Sequence, residues 1–465
     1  MSIESEKLVA EKPRSAEGLS GSTPAGPVLA PPAENQPREA FKIGTFQALG
    51  VRDYRLLWVS NLFGSAGMWI QMVTLGWLAY DMTGSGTILG AMNGMRAIPV
   101  LLLAPLAGVA VDRLNRRTLM IGLQLVLIPI IMTLSIGLFF DQVEIWHLFV
   151  FTLVAGTVQV FYMPLQQTIA FDLVPRKLIP NAVALNSIAF NVTRVVGPSA
   201  AGYLIAWLGP EGNFFVQACA YLGVLISIFM ISFPPKQASA QRQSISRNLA
   251  EGFAYVRKDK TARLLLMLGF IPPLLLIPSF ISLMPIFARD VFHAGPKELG
   301  LLMSVTGAGG LVGGVFTASL GSFERRGLLE LLMLLAASLA LLGFAFAPSM
   351  LAAMPLLFVA GFCEMVYMTT NQTILQLSIP DSVRGRITSL FMLSMGVMPV
   401  ASLVFGMATD HIGAQAVVKI ASVAALAAGM LIIAFVPFIR NLRLSQIGPA
   451  PQSGRPLAES SRRAG

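Results

Sequence analysis

The segment Gly108-Val-Ala-Val-Asp112-Arg113-Leu-Asn-Arg116-Arg117 decides how the chain is organised, because it places one acid and three bases between two long apolar stretches. The whole chain is 55% hydrophobic and only 12% charged, whereas soluble globular domains carry about 25% charged residues. A charged cluster in so apolar a chain is typical of a tight turn between two membrane-spanning helices. We therefore interpret this segment as such a turn.

Apolar segments of roughly 20 residues recur along the 465-residue chain. Each is long enough to cross a hydrocarbon core of about 30 Å as a helix that satisfies its own backbone hydrogen bonds. Twelve spans are predicted, beginning near Leu57, Thr87, Thr118, Trp146, Asn181, Asn213, Arg263, Glu298, Leu328, Met350, Arg386 and Gln415. The sequence predicts an all-α membrane protein with twelve transmembrane helices, whose even number places both termini on one side.

The basic residues are distributed unequally between the two sides. Loops on one side contain sixteen of them: Arg113, Arg116, Arg117, Arg176, Lys177, Lys236, Arg242, Arg247, Arg257, Lys258, Lys260, Arg263, Arg325, Arg326, Arg384 and Arg386. The opposite loops contain only Arg289 and Lys297. The positive-inside rule predicts that the first set and both termini are cytoplasmic. This distribution explains the net charge of +10 without a nucleic-acid partner.

Five regions follow from these patterns. Residues 1–50 are rich in Pro, Ala, Glu and Ser and lack the apolar core of a signal peptide, so they predict a disordered cytoplasmic tail. Residues 51–233 and 263–438 are the two predicted six-helix bundles, and residues 439–465 are a second cytoplasmic tail. Residues 234–262 predict a linker with a short interfacial helix.

An internal repeat relates the two bundles. A shift of 205 residues aligns seven identical pairs: Gly156 with Gly361, Tyr162 with Tyr367, Met163 with Met368, Gln167 with Gln372, Thr168 with Thr373, Ile169 with Ile374 and Pro175 with Pro380. The bundles are therefore predicted to be pseudo-symmetric. Two such halves around a site at the bilayer midplane are the architecture of alternating access.

Three ionisable residues fall within predicted spans: Arg96, Arg194 and Glu364. An ionisable side chain at bilayer depth costs about 2.5–3.5 kcal/mol on insertion scales, so each needs a partner or a water-filled cavity. Glu364 is the leading candidate for a proton-titrating or cation-binding group. The alternative is that it is a structural partner for a buried arginine.

Polar residues in four predicted spans extend this candidate cavity. Under the 205-residue shift, Glu364 aligns with Gln159 and Asn371 with Gln166. The other candidates are Asn61, Gln71 and Tyr367. In the fifth span Ser187, Asn191, Arg194 and Pro198 share one helical face, which is either a gate and substrate surface or a packing face with Gly197 and Gly202.

The sequence contains no phosphate-binding loop, paired-cysteine metal motif or nucleophile elbow. The histidines at 147, 293 and 411 lie at predicted span ends and are interpreted as interfacial. We therefore expect no cofactor, no metal site, no catalytic residues and no ATP-driven pump.

The turn pattern Gly-xxx-Asp-Arg-xx-Arg-Arg resembles the signature loop of the Major Facilitator Superfamily. The resemblance extends over about residues 45–440, through Arg52-Asp53-Tyr54-Arg55, Asp172-Leu173-Val174-Pro175 and Arg194-Val195-Val196-Gly197-Pro198. These segments look like the drug:proton antiporter branch that includes enterobactin-type siderophore exporters and macrolide efflux pumps. Gly197 and Pro198 with Gly202 are similar to the antiporter motif of the fifth helix.

The resemblance implies a conformational latch made of Gly108, Asp112, Arg113, Arg116, Arg117 and Asp172. Asp112 would meet the amino end of the eleventh helix, where the positive end of the helix dipole stabilises a carboxylate. Arg116 would pair with Asp172. The alternative is that the arginines only set the topology.

Together, these features favour a proton-coupled exporter of a small amphipathic compound, such as a drug or siderophore, that works by alternating access. We expect a monomer in the bacterial inner membrane whose partners are its substrate, protons and lipid. The main alternative is an importer or facilitator of a small metabolite on the same fold. A membrane sensor or enzyme is a more distant alternative.

Overall fold

A computed structural model describes residues 46–233, 245–321, 323–443 and 445. Most of both predicted tails, and residues 234–244 of the predicted linker, lie outside this range. The described residues form helices and no strands, which confirms the all-α membrane fold. Gln47–Gly50 form a 3-10 helix, and the Ala48 N–H donates to Asn181 Oδ1 at 2.8 Å.

The N-terminal half contains six helical elements: α1 (Arg52–Thr83), α2 (Gly86–Met95), α3 (Ala97–Arg113), α4 (Arg116–Phe139), α5 (Ile145–Asp172) and α6 (Ile179–Met230). A 3-10 turn, Arg176–Leu178, precedes α6. Side chains suited to capping begin two of the helices. Ser85 Oγ accepts from the Ile88 N–H at α2, and Asn115 Oδ1 accepts from the Arg117 N–H at α4.

The rest of the chain contains α7 (Ile245–Lys258), α8 (Lys260–Ile271), α9 (Ile277–Ile281), α10 (Met284–Ile286), α11 (Pro296–Ser319), α12 (Arg326–Phe344), α13 (Met350–Ser378), α14 (Asp381–Met395), α15 (Met398–Ile412), α16 (Ala414–Phe435) and α17 (Pro437–Arg440). Pro272 and Pro273 end α8, because proline has no N–H to continue an α-helix. The π-helical segments Pro272–Leu276 and Phe287–Val291 complete the seventh span. Helix α7 lies in the predicted linker.

Ten helical stretches within the described ranges are long and apolar enough to cross a membrane. One of them contains α6, which changes direction at Gly209, where φ is 70°. That residue separates the predicted fifth and sixth spans. Helices α14 and α15 together occupy the eleventh. The twelve predicted crossings are therefore accommodated, although the second, seventh and eleventh are each built from more than one helix.

The two halves contact each other along two helix pairs, α2 with α15 and α6 with α11. Glycines make this approach possible. A Cβ added at Gly90 would lie 2.5 Å from the Ser402 carbonyl oxygen, and one at Gly307 would lie 2.6 Å from the Arg194 carbonyl oxygen. Neither contact leaves room for a side chain, so small residues set the spacing of the halves.

Candidate functional site

A cavity of about 580 Å³ lies mainly within the N-terminal half, between α1, α4, α5 and α6. Its lining includes seven carboxamide side chains: Asn61, Gln124, Gln159, Gln166, Gln167, Asn186 and Asn191. Apolar lining residues include Met68, Met163, Phe171, Phe190 and Met365 of α13. The cavity thus offers both hydrogen-bonding groups and apolar surface to one ligand.

The cavity extends toward the ends of α5 and α6 that are nearest the basic loops. Phe171 and Val183, which belong to its lining, lie close in sequence to Asp172 and Arg176. We call this the Arg-rich side of the protein, and the other the opposite side. The lining therefore runs from the interior of the bundle to the Arg-rich side.

A hydrogen-bond network holds three of the lining helices together. Gln166 Nε2 on α5 donates to Asn61 Oδ1 on α1, and Asn61 Nδ2 donates to Asn186 Oδ1 on α6 at 3.2 Å. The Tyr54 hydroxyl also reaches α6, donating to the Ala182 carbonyl oxygen at 2.8 Å. Asn61 and Gln166 are thus both cavity residues and structural links.

Gln124 on α4 differs from these amides. Its side chain is fully buried in the cavity wall, yet neither its oxygen nor its nitrogen has a hydrogen-bond partner among the described residues. A buried amide left unpaired is costly. Gln124 is therefore available to bind a ligand group or water.

Arg194 and Glu364 form an ion pair between the two halves. Arg194 Nη2 on α6 lies 3.5 Å from Glu364 Oε2 on α13, with the two side chains 19% and 11% exposed. Gly307 and Gly310 of α11 leave space for Arg194, and Arg194 also lines the cavity. Residues predicted separately from the two bundles are thus joined at the cavity edge.

Besides Glu364, which lies at the cavity edge, four predicted cavity residues do not line this cavity. Gln71 accepts a hydrogen bond from Gln217 at 2.9 Å within the N-terminal half. Tyr367 donates to the Leu268 carbonyl oxygen, and Asn371 donates to the Leu265 carbonyl oxygen and to Glu330 Oε1. The repeat placed these two at cavity depth, but the α13 face that bears them packs on α8 and α12. Arg96 lies at the junction of α2 and α3.

The predicted latch residues lie at the Arg-rich side. Arg116 at the start of α4 forms an ion pair with Asp172 at the end of α5. The Arg117 guanidinium donates to the Phe229 carbonyl oxygen at 3.0 Å. Gly108 and Arg113 belong to the last turns of α3. The Asp112 side chain lies outside the described part of the structure, so its predicted contact with the eleventh span stays a prediction.

The predicted motif of the fifth span lies at close helix contacts, two of which join α6 to α11 of the other half. Gly197 faces Trp69, since an added Cβ would lie 2.7 Å from the Trp69 Cβ. The Pro198 carbonyl oxygen contacts Gly300, and Gly202 contacts the Pro296 carbonyl oxygen. Each approach requires the absence of a Cβ, so the observed contacts of this motif are packing contacts.

A group of contacts that the sequence did not predict joins the halves on the opposite side. Asp410 near the end of α15 accepts hydrogen bonds from Ser85 Oγ at 2.8 Å, the Gly86 N–H at 2.6 Å and the Thr87 N–H at 2.8 Å. Nearby, Arg289 lies 3.3 Å from Asp81, and the Tyr80 hydroxyl donates to Asp290. The sequence did contain a signal for these contacts. Several acids lie at the span ends on the opposite side, where there are few basic residues.

A buried acid in the ninth span was also missed. Glu330 on α12 is fully buried, and its Oε1 accepts from Asn371 Nδ2 at 2.7 Å. Its other oxygen has no hydrogen-bond partner among the described residues. The sequence contained a signal for it, since Glu330 lies only two residues after Leu328, where an apolar run begins.

Known proteins resemble this chain over most of its length. It is 24% identical to the staphyloferrin A transporter of Staphylococcus aureus, covering 81% of this chain and 94% of that protein. It is 23% identical to macrolide efflux protein A of Streptococcus pyogenes, covering 74% and 86%. The crystal structure of the nucleoside transporter NupG matches with a TM-score of 0.68 at 14% identity, covering 82% of this chain and 98% of that one.

The family comparison covers the same region. The model of the family described as transmembrane secretion effector matches residues 43–452. That range includes both halves, the cavity and the ion pair between Arg194 and Glu364. The chain belongs to this family of Major Facilitator Superfamily transporters and is a multi-pass membrane protein, not an enzyme.

Proposed function

We propose that this chain exports a small amphipathic compound from a bacterial cell in exchange for protons. Relatives that are named as efflux proteins support the direction of transport. The cavity supports the substrate class, because carboxamides lie beside methionine and phenylalanine side chains in its lining. Methionine surfaces repack around ligands of different shape.

The proposed orientation follows from the basic loops. The positive-inside rule assigns the Arg-rich side, with both termini, to the cytoplasm of the inner membrane. The cavity then extends toward the cytoplasm, while the hydrogen bonds of Asp410 and the neighbouring ion pair between Arg289 and Asp81 join the halves at the outer face. This is the arrangement in which an exporter loads its substrate. We propose that one chain suffices, since both halves that flank the cavity belong to it.

The ion pair between Arg194 and Glu364 is the observation that carries the proposed coupling. An ionised Glu364 attracts Arg194, with a Coulomb energy of about 4 kcal/mol at an effective dielectric constant of about 20. Protonation of Glu364 removes this attraction between the halves. A proton that enters from the outer face would therefore favour separation of α6 from α13, and release of the proton to the cytoplasm would restore the pair.

We propose that the predicted latch also acts on the equilibrium between the state that is open to the cytoplasm and the state that is open to the outer face. Arg116 and Asp172 hold the cytoplasmic ends of α4 and α5 together. Gly108, Asp112, Arg113 and Arg117 would stabilise the cytoplasmic side when it closes. Asp410 would stabilise the outer side when that closes. Alternating access then exchanges one set of contacts for the other.

Everted membrane vesicles test the direction of transport. We expect vesicles that contain the protein to accumulate radiolabelled erythromycin, a macrolide, or staphyloferrin A when respiration acidifies their interior. We expect the uncoupler carbonyl cyanide chlorophenylhydrazone to abolish accumulation. Accumulation that occurs only in right-side-out vesicles would instead identify an importer.

A further inference from the structure

We propose that Arg96 binds an anionic group of the transported compound, so that the substrate carries a carboxylate or a comparable negative charge. This inference rests on the proposed transport function. It adds the charge of the substrate, which neither the family nor the coupling mechanism specifies.

Arg96 lies near the middle of the second span. It is ten residues beyond Gly86, where α2 begins, and seventeen before Arg113, where α3 ends. At 1.5 Å per residue, it is roughly 15 Å from the nearer end, in a hydrocarbon core of about 30 Å. Its charge is therefore placed at a depth where an unpaired cation is costly.

The backbone of Arg96 lies against the cavity helix α5. A Cβ added at Gly156 would lie 3.9 Å from the Arg96 Cα and 3.3 Å from the Pro99 ring. Gln159 follows Gly156 by three residues, on the same side of α5, and lines the cavity. The Arg96 backbone is thus anchored about one turn of α5 from Gln159 in the cavity wall.

Arg96 has no hydrogen-bond or ion-pair partner for its side chain among the residues that the structure describes. Two acids in the interior of the described spans are already engaged. Glu364 pairs with Arg194, and Glu330 accepts from Asn371. One intramembrane cation is therefore left without a counter-charge from these acids.

The described residues that line the cavity also carry positive charge without a matching negative charge. They include Arg194 and no carboxylate. Gln124 adds an unpaired buried amide that can donate to a ligand oxygen. A cationic compound would find no carboxylate in this lining, whereas an anionic one would supply the counter-charge that Arg96 lacks and acceptors for the amides.

Two xanthene dyes of similar size and opposite charge test this inference. Binding of fluorescein, an anion, and rhodamine 123, a cation, to the purified full-length protein can be followed by fluorescence anisotropy. We expect fluorescein to bind more tightly. Loss of a charge-assisted contact should weaken its binding to Arg96→Gln by about 10- to 100-fold, whereas rhodamine 123 binding should change by less than about twofold.

Arg96→Lys is the matched variant, because it keeps the positive charge while losing the guanidinium geometry. It should retain fluorescein binding to within about tenfold. Retained binding would show that substitution at this position does not by itself unfold the protein. The inference is overturned if fluorescein does not bind, if rhodamine 123 binds more tightly, or if Arg96→Gln leaves fluorescein binding unchanged.

Proton-driven export from everted vesicles separates this inference from the proposed function. If fluorescein binding depends on Arg96 but vesicles show no proton-driven export, the proposed function fails and the anion site stands.

Discussion

Asp410 caps the amino end of α2 across the interface between the two halves. Its carboxylate accepts from the backbone N–H groups of Gly86 and Thr87 at 2.6 and 2.8 Å. These N–H groups have no partner within α2, and the positive end of the helix dipole further stabilises the carboxylate. One residue of the C-terminal half thus satisfies the helix end of the N-terminal half.

Removal of this cap should open the opposite side. We expect Asp410→Ala to lengthen the distance between spin labels at Met82 and Ile412, because three hydrogen bonds between the halves are lost. Pulsed electron paramagnetic resonance measures this distance. Both labelling positions are exposed, so the labels should not disturb packing.

His411→Ala is the matched control, since His411 is the exposed neighbour of Asp410 on α15. It should leave the distance distribution unchanged. An Asp410→Ala distribution that overlays the wild-type one would show that the cap does not hold this side closed.

The close packing around Gly202 leaves no room for a side chain at this position. Gly202→Val should lower the melting temperature of the purified protein, because the new methyl groups would meet the Pro296 carbonyl oxygen and Gly300. Overpacking of this kind costs about 1–3 kcal/mol. Differential scanning fluorimetry in detergent measures the change.

Gly122→Val on α4 provides the comparison, because a Cβ at Gly122 meets nothing within 4 Å. Its melting temperature should stay close to that of the wild type. Equal melting temperatures for the two variants would argue against a tight contact between α6 and α11.

The buried carboxyl of Glu330 should serve mainly as a hydrogen-bond acceptor within the C-terminal half. Glu330→Gln keeps an oxygen for the Asn371 Nδ2 and should preserve the melting temperature. Glu330→Leu removes that acceptor and should destabilise the protein by about 1–3 kcal/mol, since the buried amide of Asn371 loses a partner. A variant Glu330→Gln that melts as early as Glu330→Leu would contradict this role.

The sequence predicted the spans well because long apolar runs report directly on membrane crossing. It also identified Arg194 and Glu364 as opposite intramembrane charges that could pair across a cavity, but residues 170 positions apart in sequence gave no distance between them; the structure places them 3.5 Å apart. The repeat aligned Asn371 with Gln166. The sequence did not show that their contacts differ: in the structure Gln166 lines the cavity, whereas Asn371 donates a hydrogen bond to Glu330.

Other features depended on geometry that no local pattern contains. Arg96 was recognised as an intramembrane cation, but the break between α2 and α3 at that residue was not, because Arg is an ordinary helix former. Asp410 was overlooked because an acid at a span end is common. Its importance arises from the position of α2, which is more than 300 residues away in sequence.

Glu364, paired with Arg194, is proposed to couple proton movement to transport. The direct test is proton flux, reported by pyranine inside proteoliposomes, when the compound accumulated by everted vesicles is added. Glu364→Gln should bind and exchange that compound while moving no protons, and Glu298→Gln, which alters an acid outside the membrane interior, should behave as the wild type. Proton flux through Glu364→Gln equal to that of the wild type would contradict the account.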